Sequence, residues 1–289
     1  MAAGPSRQLL AELATRPGHN TYVDKLVRWS CITVALIFLG VLLIGPLVTV
    51  ISYALEKGFG AYLQSFTNQD TRAAIKLTLL TAAIVVPLNT IFGIAAAWAI
   101  AKFEFPGKSM LITAIDLPIA VSPVVSGLVY VMLFGAQGWF GVWLMDHDIN
   151  ILFAVPGIVL ATMFVTFPYV ARELIPLMQQ LGNDEEEAAI TMGAGGFMTF
   201  FRVTLPKIRW GLIYGVILTN SRAMGEFGAV SVVSGHIRGL TNTMPLHIEI
   251  LYQEYNFVGA FAVASLLTVL ALITLIIKTL VEWRGYSRR

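Results

Sequence analysis

Five long stretches of this chain contain no Asp, Glu, Lys or Arg, and they constrain the fold more than any other feature of the sequence. They are residues 31–55, 77–101, 117–145, 149–171 and 255–277. A helix needs about 20 apolar residues to cross the roughly 30 Å hydrocarbon core of a bilayer. Hydrophobic residues make up 57% of the chain and charged residues only 12%, about half the charged share of globular proteins. We therefore expect an all-α membrane protein with one span in each stretch.

A sixth span is predicted from Arg209 to about Ser234, although Arg222 and Glu226 interrupt its apolar pattern. A lone charge near the bilayer centre costs about 2.5 to 3.5 kcal/mol on the insertion scale. Two charges one helical turn apart are therefore expected to pair with each other or to face water. An ion pair that locks the helices and a position beside a translocation cavity are compatible alternatives.

The predicted organisation is a bundle of six transmembrane helices. A tail of residues 1–28 precedes a single membrane domain, residues 29–283. The six predicted spans are about 30–54, 74–101, 110–134, 151–173, 209–234 and 257–280.

Six spans place both termini on the same side of the membrane, and the basic residues indicate which side. If the termini are cytoplasmic, the inner segments hold 14 of the 19 Lys and Arg residues and the outer segments hold four. Cytoplasmic loops of membrane proteins carry an excess of Lys and Arg. We therefore predict cytoplasmic termini, which places the acidic loop 184–206 in the cytoplasm.

This loop opens with a carboxylate cluster that is typical of a helix start. Asn183 and Asp184 offer N-cap side chains, and Glu187 stands three residues after Asp184, as a capping box requires. Glu185 and Glu186 add negative charge at the positive end of the helix dipole. The sequence therefore predicts a short helix that begins near residue 184.

The predicted helix is barely two turns long, too short to be stable alone in water. Ala188 and Ala189 give it a small apolar surface, and Gly193 is placed where a left-handed C-cap would end it. A second helical piece, Phe197–Leu205, is expected to follow, and Pro206 suits the first turn of the next span. A solvated loop is the simpler interpretation, but the small face beside Glu187 favours docking into a partner's groove.

A second candidate feature lies inside the third predicted span. Ser122 and Ser126 stand four residues apart on one helix face, beside Pro123. Opened backbone and two hydroxyls at membrane depth suit the lining of a polar route. Serine also forms structural hydrogen bonds between packed membrane helices, so both interpretations remain open.

No site for chemistry is indicated in the chain itself. The sequence PGKS at 106–109 resembles the end of a phosphate-binding loop, but Lys102 occupies the first glycine position and no strand precedes it. The four histidines are scattered and Cys31 has no partner ligand, so no metal site is predicted. A formal charge of +2 does not suggest a nucleic-acid partner.

The acidic loop resembles the EAA loop of permeases from bacterial ATP-binding-cassette importers. The family's usual form ends in Ile-x-Leu-Pro, and Val203 in place of isoleucine is the only departure. The resemblance implies a coupling helix that docks into an ATPase subunit, with Glu187 facing a basic residue there. The matching residues are Glu187, Ala188, Ala189, Gly193, Leu205 and Pro206.

Other stretches narrow the resemblance to oxyanion importers. The most similar family is the W-type permease subunit of sulfate/thiosulfate importers, with the T-type sister subunit next, and permeases for molybdate or tungstate are the alternative. Residues Arg222, Glu226, Ser122 and Ser126 would then border the substrate pathway. The stretches that carry the resemblance are FPGK at 105–108, DLPIAVSPVVSGLVY at 116–130, TNSRAMGEFGAVSVVSG at 219–235 and SGHIRGLTNTMPLHIEILYQEY at 234–255.

The resemblance also implies partners and a location. Such a chain folds as a six-helix transmembrane permease bundle of the molybdate/sulfate (type I importer) kind. It is a non-catalytic subunit in the bacterial inner membrane. It works with two copies of an ATPase subunit, a T-type sister permease and a periplasmic sulfate- or thiosulfate-binding protein. ATP and Mg would be bound by the ATPase, so no cofactor is expected in this chain.

Overall fold

The computed structural model describes residues 21–286, and every regular element in that range is helical. A five-residue π-helical turn, Phe200–Thr204, joins α10 to α11. The helices are α1 Thr21–Leu55, α2 Gly58–Ser65, α3 Gln69–Lys102, α4 Lys108–Ala120, α5 Pro123–Phe134, α6 Gly141–Asp146, α7 Val155–Thr166, α8 Pro168–Leu181, α9 Asp184–Thr191, α10 Gly196–Thr199, α11 Leu205–Met224, α12 Gly228–Ser234, α13 Met244–Gln253 and α14 Phe257–Tyr286.

Four helical segments within the described residues are long and apolar enough to cross a membrane: Lys25–Leu55, Gln69–Lys102, Val155–Leu181 and Phe257–Leu280. Helices α4 and α5 qualify together as a fifth, and they are bent by 108° at their junction. The predicted tail, residues 1–28, lies mostly outside the described residues.

The predicted span 209–234 is not one continuous helix. Helix α11 ends at Met224, and the short helix α12 begins only at Gly228. Gly225 and the Glu226 side chain explain the break, because Glu226 Oε1 accepts a hydrogen bond from the backbone N–H of Ala229 and so caps α12. The expectation of one unbroken helix was wrong here, and the total of six spans stays a prediction.

The chain divides into two compact units, Met1–Ser52 and Tyr53–Arg289. In the first, the described residues belong to α1, which has Pro46 in its interior. The second contains the remaining helices and both candidate functional features.

Close approach of α3 and α8 organises the core of the second unit. A Cβ on Gly93 would lie 2.6 Å from Val170 Cβ, so only glycine permits this separation of the helices. Further along the same pair, Ala97 packs with Val170, Leu174 and Met178 in a fully buried cluster. The contact sets the end of α3, Lys102, beside the end of α8.

Opposite that end, buried polar groups join α3 to α13. The Thr71 hydroxyl lies 3.0 Å from His247 Nε2, and the Thr78 hydroxyl accepts a hydrogen bond from the backbone N–H of Met244 at 2.8 Å. His247 is 3% exposed. Burial lowers the pKa of His247, and nearby Arg238 lowers it further, while the neighbouring carboxylates partly oppose this shift.

Candidate coupling site and membrane-embedded charges

Helix α9, Asp184–Thr191, forms where the sequence predicts it, but the predicted capping box does not form. Asn183 has αR backbone angles and caps no backbone N–H with its side chain. Its Oδ1 instead accepts a hydrogen bond from Lys102 Nζ at 3.1 Å. The helix start is therefore stabilised by its four acidic first-turn residues, Asp184 to Glu187, through the helix dipole.

The helix ends at the glycine that the sequence places there. Gly193 has φ of +91°, in the left-handed region that costs other L-residues roughly 1 to 2 kcal/mol. The backbone N–H of Ala194 then reaches the carbonyl of Ala189 at 3.0 Å. The chain thereby reverses within three residues.

The predicted second piece, Phe197–Leu205, is helical, and no break separates it from the span that follows. Helix α10 continues through the π-helical turn into α11 without interruption. Pro206 occupies the first turn of α11, as predicted, and Leu205 packs beside the α3–α8 core cluster. Residues 192–204 therefore join α9 to the 20-residue helix α11.

The three consecutive glutamates of α9 have different surroundings because successive helical residues point about 100° apart. Glu185 Oε1 pairs with Lys207 Nζ of α11 at 2.5 Å. Glu186 is half-buried, with Oε2 3.1 Å from Lys102 Nζ and Oε1 accepting a hydrogen bond from the Thr204 hydroxyl at 2.6 Å. Glu187 is exposed and has no ion pair among the described residues.

Several exposed apolar side chains lie on the helix of Glu187 and in the segment that follows it. Met192 is 82% exposed and Phe197 is 85% exposed, and Ile190 and Phe201 are exposed too. Of the two alanines, Ala188 is exposed whereas Ala189 is buried against the loop. Exposed apolar side chains close in sequence to a carboxylate are typical of a protein interaction site. We call Glu187, Ala188, Ile190, Met192, Phe197 and Phe201 the interaction surface, since all six residues are exposed.

Arg222 and Glu226 form the ion pair that the sequence left as one alternative. Arg222 Nη1 lies 2.6 Å from Glu226 Oε2, the Arg222 side chain is one third exposed, and the Glu226 side chain is 1% exposed. Glu226 joins the end of α11 to the start of α12, since its other oxygen accepts a hydrogen bond from Ala229. The arrangement holds the broken helix together and leaves the Arg222 side chain partly accessible.

The two predicted pathway serines lie at the sharp bend between α4 and α5. Ser122 is exposed at the bend, and the buried Ser126 hydroxyl bonds back to the Ser122 carbonyl at 3.3 Å. Helix α5 packs on α12 at Gly127, where a Cβ would lie 2.8 Å from the Ala229 carbonyl. Helix α5, which carries Ser126, is therefore a neighbour of the helix that Glu226 caps, although no direct contact joins the serines to Arg222 among the described interactions.

Sequence reasoning missed Lys102, Glu186 and Thr204 as members of the coupling site. Lys102 ends an uncharged run, which indicates only a cytoplasmic anchor. Its contact with α9 is long-range and had no local signal. Glu186 was interpreted as a helix-start charge, although its side chain in fact bridges two other segments.

Comparison with known proteins places this architecture in a family. The family model described as binding-protein-dependent transport system inner membrane component matches residues 89–284. The chain belongs to this family. It is therefore a non-catalytic membrane subunit of a transport system that depends on a binding protein.

Two relatives and one solved structure are similar to this chain along most of its length. The chain is 50% identical over 257 residues to the sulfate transport system permease protein CysW of Escherichia coli K12, covering 89% of this chain and 88% of that one. It is 35% identical over 241 residues to the permease protein CysT of the same strain, covering 83% and 87%. A chain in the crystal structure of a bacterial alginate ABC transporter, in complex with its pentasaccharide-bound periplasmic protein, shares the fold: TM-score 0.75, 16% identity, and coverage of 88% and 93%.

Proposed function

We propose that this chain is the W-type permease subunit of a sulfate importer in the bacterial inner membrane. The observation that carries the proposal is 50% identity to a CysW sulfate permease along nearly the whole chain, against 35% to a CysT permease. Thiosulfate, an oxyanion of the same charge, is a second substrate of the proposed importer. The alternative, a molybdate or tungstate permease, is not favoured, because these relatives are named for sulfate.

The interaction surface around Glu187 is the proposed docking site for an ATPase subunit. Its exposed apolar side chains and single carboxylate suit a groove with a basic residue. A tight turn at Gly193 and a short helical segment connect α9 to α11. ATP and Mg belong to that ATPase, of which the complex holds two copies. A T-type sister permease and a periplasmic sulfate-binding protein complete the proposed assembly, with both termini of this chain in the cytoplasm.

Transport would proceed by alternating access. Closure of the ATPase pair on ATP moves α9, and α11 carries this movement to the Arg222–Glu226 pair. The partly exposed Arg222 guanidinium supplies positive charge for a passing oxyanion, while the buried Glu226 holds it in place. Ser122 and Ser126, at the bend between α4 and α5, add hydroxyl groups to the proposed route.

Charge reversal at Glu187 tests the proposed docking. In vesicles with the complete complex, Glu187→Lys should abolish ATP-driven sulfate uptake and weaken retention of the ATPase on the permease. Glu104→Lys is the matched control, because Glu104 is also fully solvated but lies outside α9, paired with Lys108. Gly193→Ala should lower uptake as well, since a side chain at φ of +91° strains the turn. Normal uptake by Glu187→Lys would refute the docking role.

A further inference from the structure

The ammonium group of Lys102 is packed against the start of helix α9. Its side chain is only 6% exposed. Lys102 Nζ lies 2.5 Å from the Gly182 carbonyl, 3.1 Å from Asn183 Oδ1 and 3.1 Å from Glu186 Oε2. A lysine ammonium has three N–H donors, so three acceptors on the α8–α9 junction satisfy it completely.

Glu186 extends this contact to a third element. One carboxylate oxygen faces Lys102 at the end of α3, and the other accepts the hydroxyl hydrogen of buried Thr204, directly before α11. Packing of the Trp98 ring against Phe200 at 5.4 Å joins the same two segments beside the pair. The Glu186 carboxylate therefore ties the short helix α9 to the end of α3 and to the residue before α11.

Burial distinguishes this pair from the neighbouring one. Lys207 and Glu185 also link α9 to α11, but the Glu185 side chain is mostly exposed, and exposed ion pairs contribute little. Removal of one partner from a buried pair instead leaves an uncompensated charge. Of the two ion pairs that link α9 to α3 or α11 within the described residues, the Lys102–Glu186 pair is the more buried and therefore the more costly to separate.

We propose that Glu186 and Lys102 form a latch that transmits movement of the docked helix α9 to α3, in addition to the covalent route into α11. The inference rests on the proposed function, because it assumes that an ATPase moves α9. Glu187 contacts the ATPase subunit, and Glu186, one residue away, positions α3 and α11 relative to α9. Glu186 and Lys102 act on the position of α9 and not on the substrate, so they are positioning residues.

The test is the amount of sulfate moved per ATP hydrolysed, measured in vesicles that contain the complete complex. Glu186→Gln removes the charge but keeps an oxygen that accepts from Thr204, and Lys102→Met removes the ammonium. We expect both variants to assemble and hydrolyse ATP while sulfate per ATP falls roughly fivefold or more, as for loss of an allosteric coupling. Glu185→Gln is the matched control, and its ratio should remain close to wild type.

A wild-type ratio in assembled Glu186→Gln and Lys102→Met complexes would overturn the latch. Failure of both variants to assemble would also overturn it, because it would assign the pair to structure alone. A failure of the proposed function looks different: the wild-type complex would itself move no sulfate. The ratio is then measured with the oxyanion that the wild-type complex carries, which keeps the latch testable.

Discussion

Removal of the Arg222 guanidinium should destabilise the protein because it leaves the buried Glu226 carboxylate without a counter-charge. Glu226 is 1% exposed, and in Arg222→Gln its carboxylate would keep only the hydrogen bond from Ala229, at 3.0 Å. Loss of one partner from a buried ion pair costs about 3 to 5 kcal/mol. Since water already reaches a third of the Arg222 side chain, we expect the lower end, about 3 kcal/mol.

The expected loss is measurable as a melting-temperature shift. At about 2 to 4 °C per kcal/mol for a protein of this size, Arg222→Gln should lower the melting temperature by about 6 to 12 °C. Tryptophan fluorescence of the purified permease in detergent would follow unfolding. The double variant Arg222→Gln with Glu226→Gln should recover most of the loss, because a neutral amide needs no counter-charge and still accepts from Ala229.

Two results would refute this reasoning. If Arg222→Gln melted within about 2 °C of wild type, less than 1 kcal/mol would separate them, and Glu226 would not be held as a buried charge. If the double variant were no more stable than Arg222→Gln, the loss would come from packing. Sulfate uptake by the single variant separates the two roles of Arg222, since normal uptake with lowered stability leaves only the structural one.

Two further predictions concern packing and pH. Gly93→Ala should lower the stability of the protein by about 1 to 3 kcal/mol, as overpacking of a core does. The reason is that the added Cβ meets rigid side-chain and backbone atoms of α8. Gly211→Ala is the control, since its Cβ closely approaches only a rotatable leucine methyl group. Stability should fall as pH drops below about 6.5, because unfolded His247 takes up a proton that the buried native form, with its lowered pKa, resists. His247→Gln should flatten that dependence in thermal unfolding from about pH 7 to pH 5. An unchanged slope, or equal stability of the two glycine variants, would contradict these explanations.

The long helices could be predicted because their cause is local. An uncharged run of sufficient length has few alternatives in a bilayer, so α3, α7 with α8, and α14 lie where composition places them. The break at Gly225 was missed because the apolar pattern continues on both sides of it. Its cause is a glycine followed by Glu226, whose side chain caps the next helix, and that signal is too short to outweigh hydropathy.

The coupling site shows the same division between local and distant causes. Gly193 and Pro206 were predicted correctly because each obeys a backbone rule. The N-cap expected of Asn183 failed because Lys102 engages its side chain across a large sequence separation, and the capping box failed because Asp184 begins the helix instead of preceding it. Glu186 faces inward and Glu187 faces solvent, and only the folded structure distinguishes these two neighbouring glutamates.

The most direct test of the central claim is uptake of labelled oxyanions by the reconstituted complex of this permease, its sister subunit, the ATPase and the binding protein. The proposed function predicts that sulfate accumulates only when ATP is supplied, and that Glu187→Lys abolishes this accumulation. Uptake of molybdate without sulfate, or sulfate uptake that is independent of ATP, would contradict it.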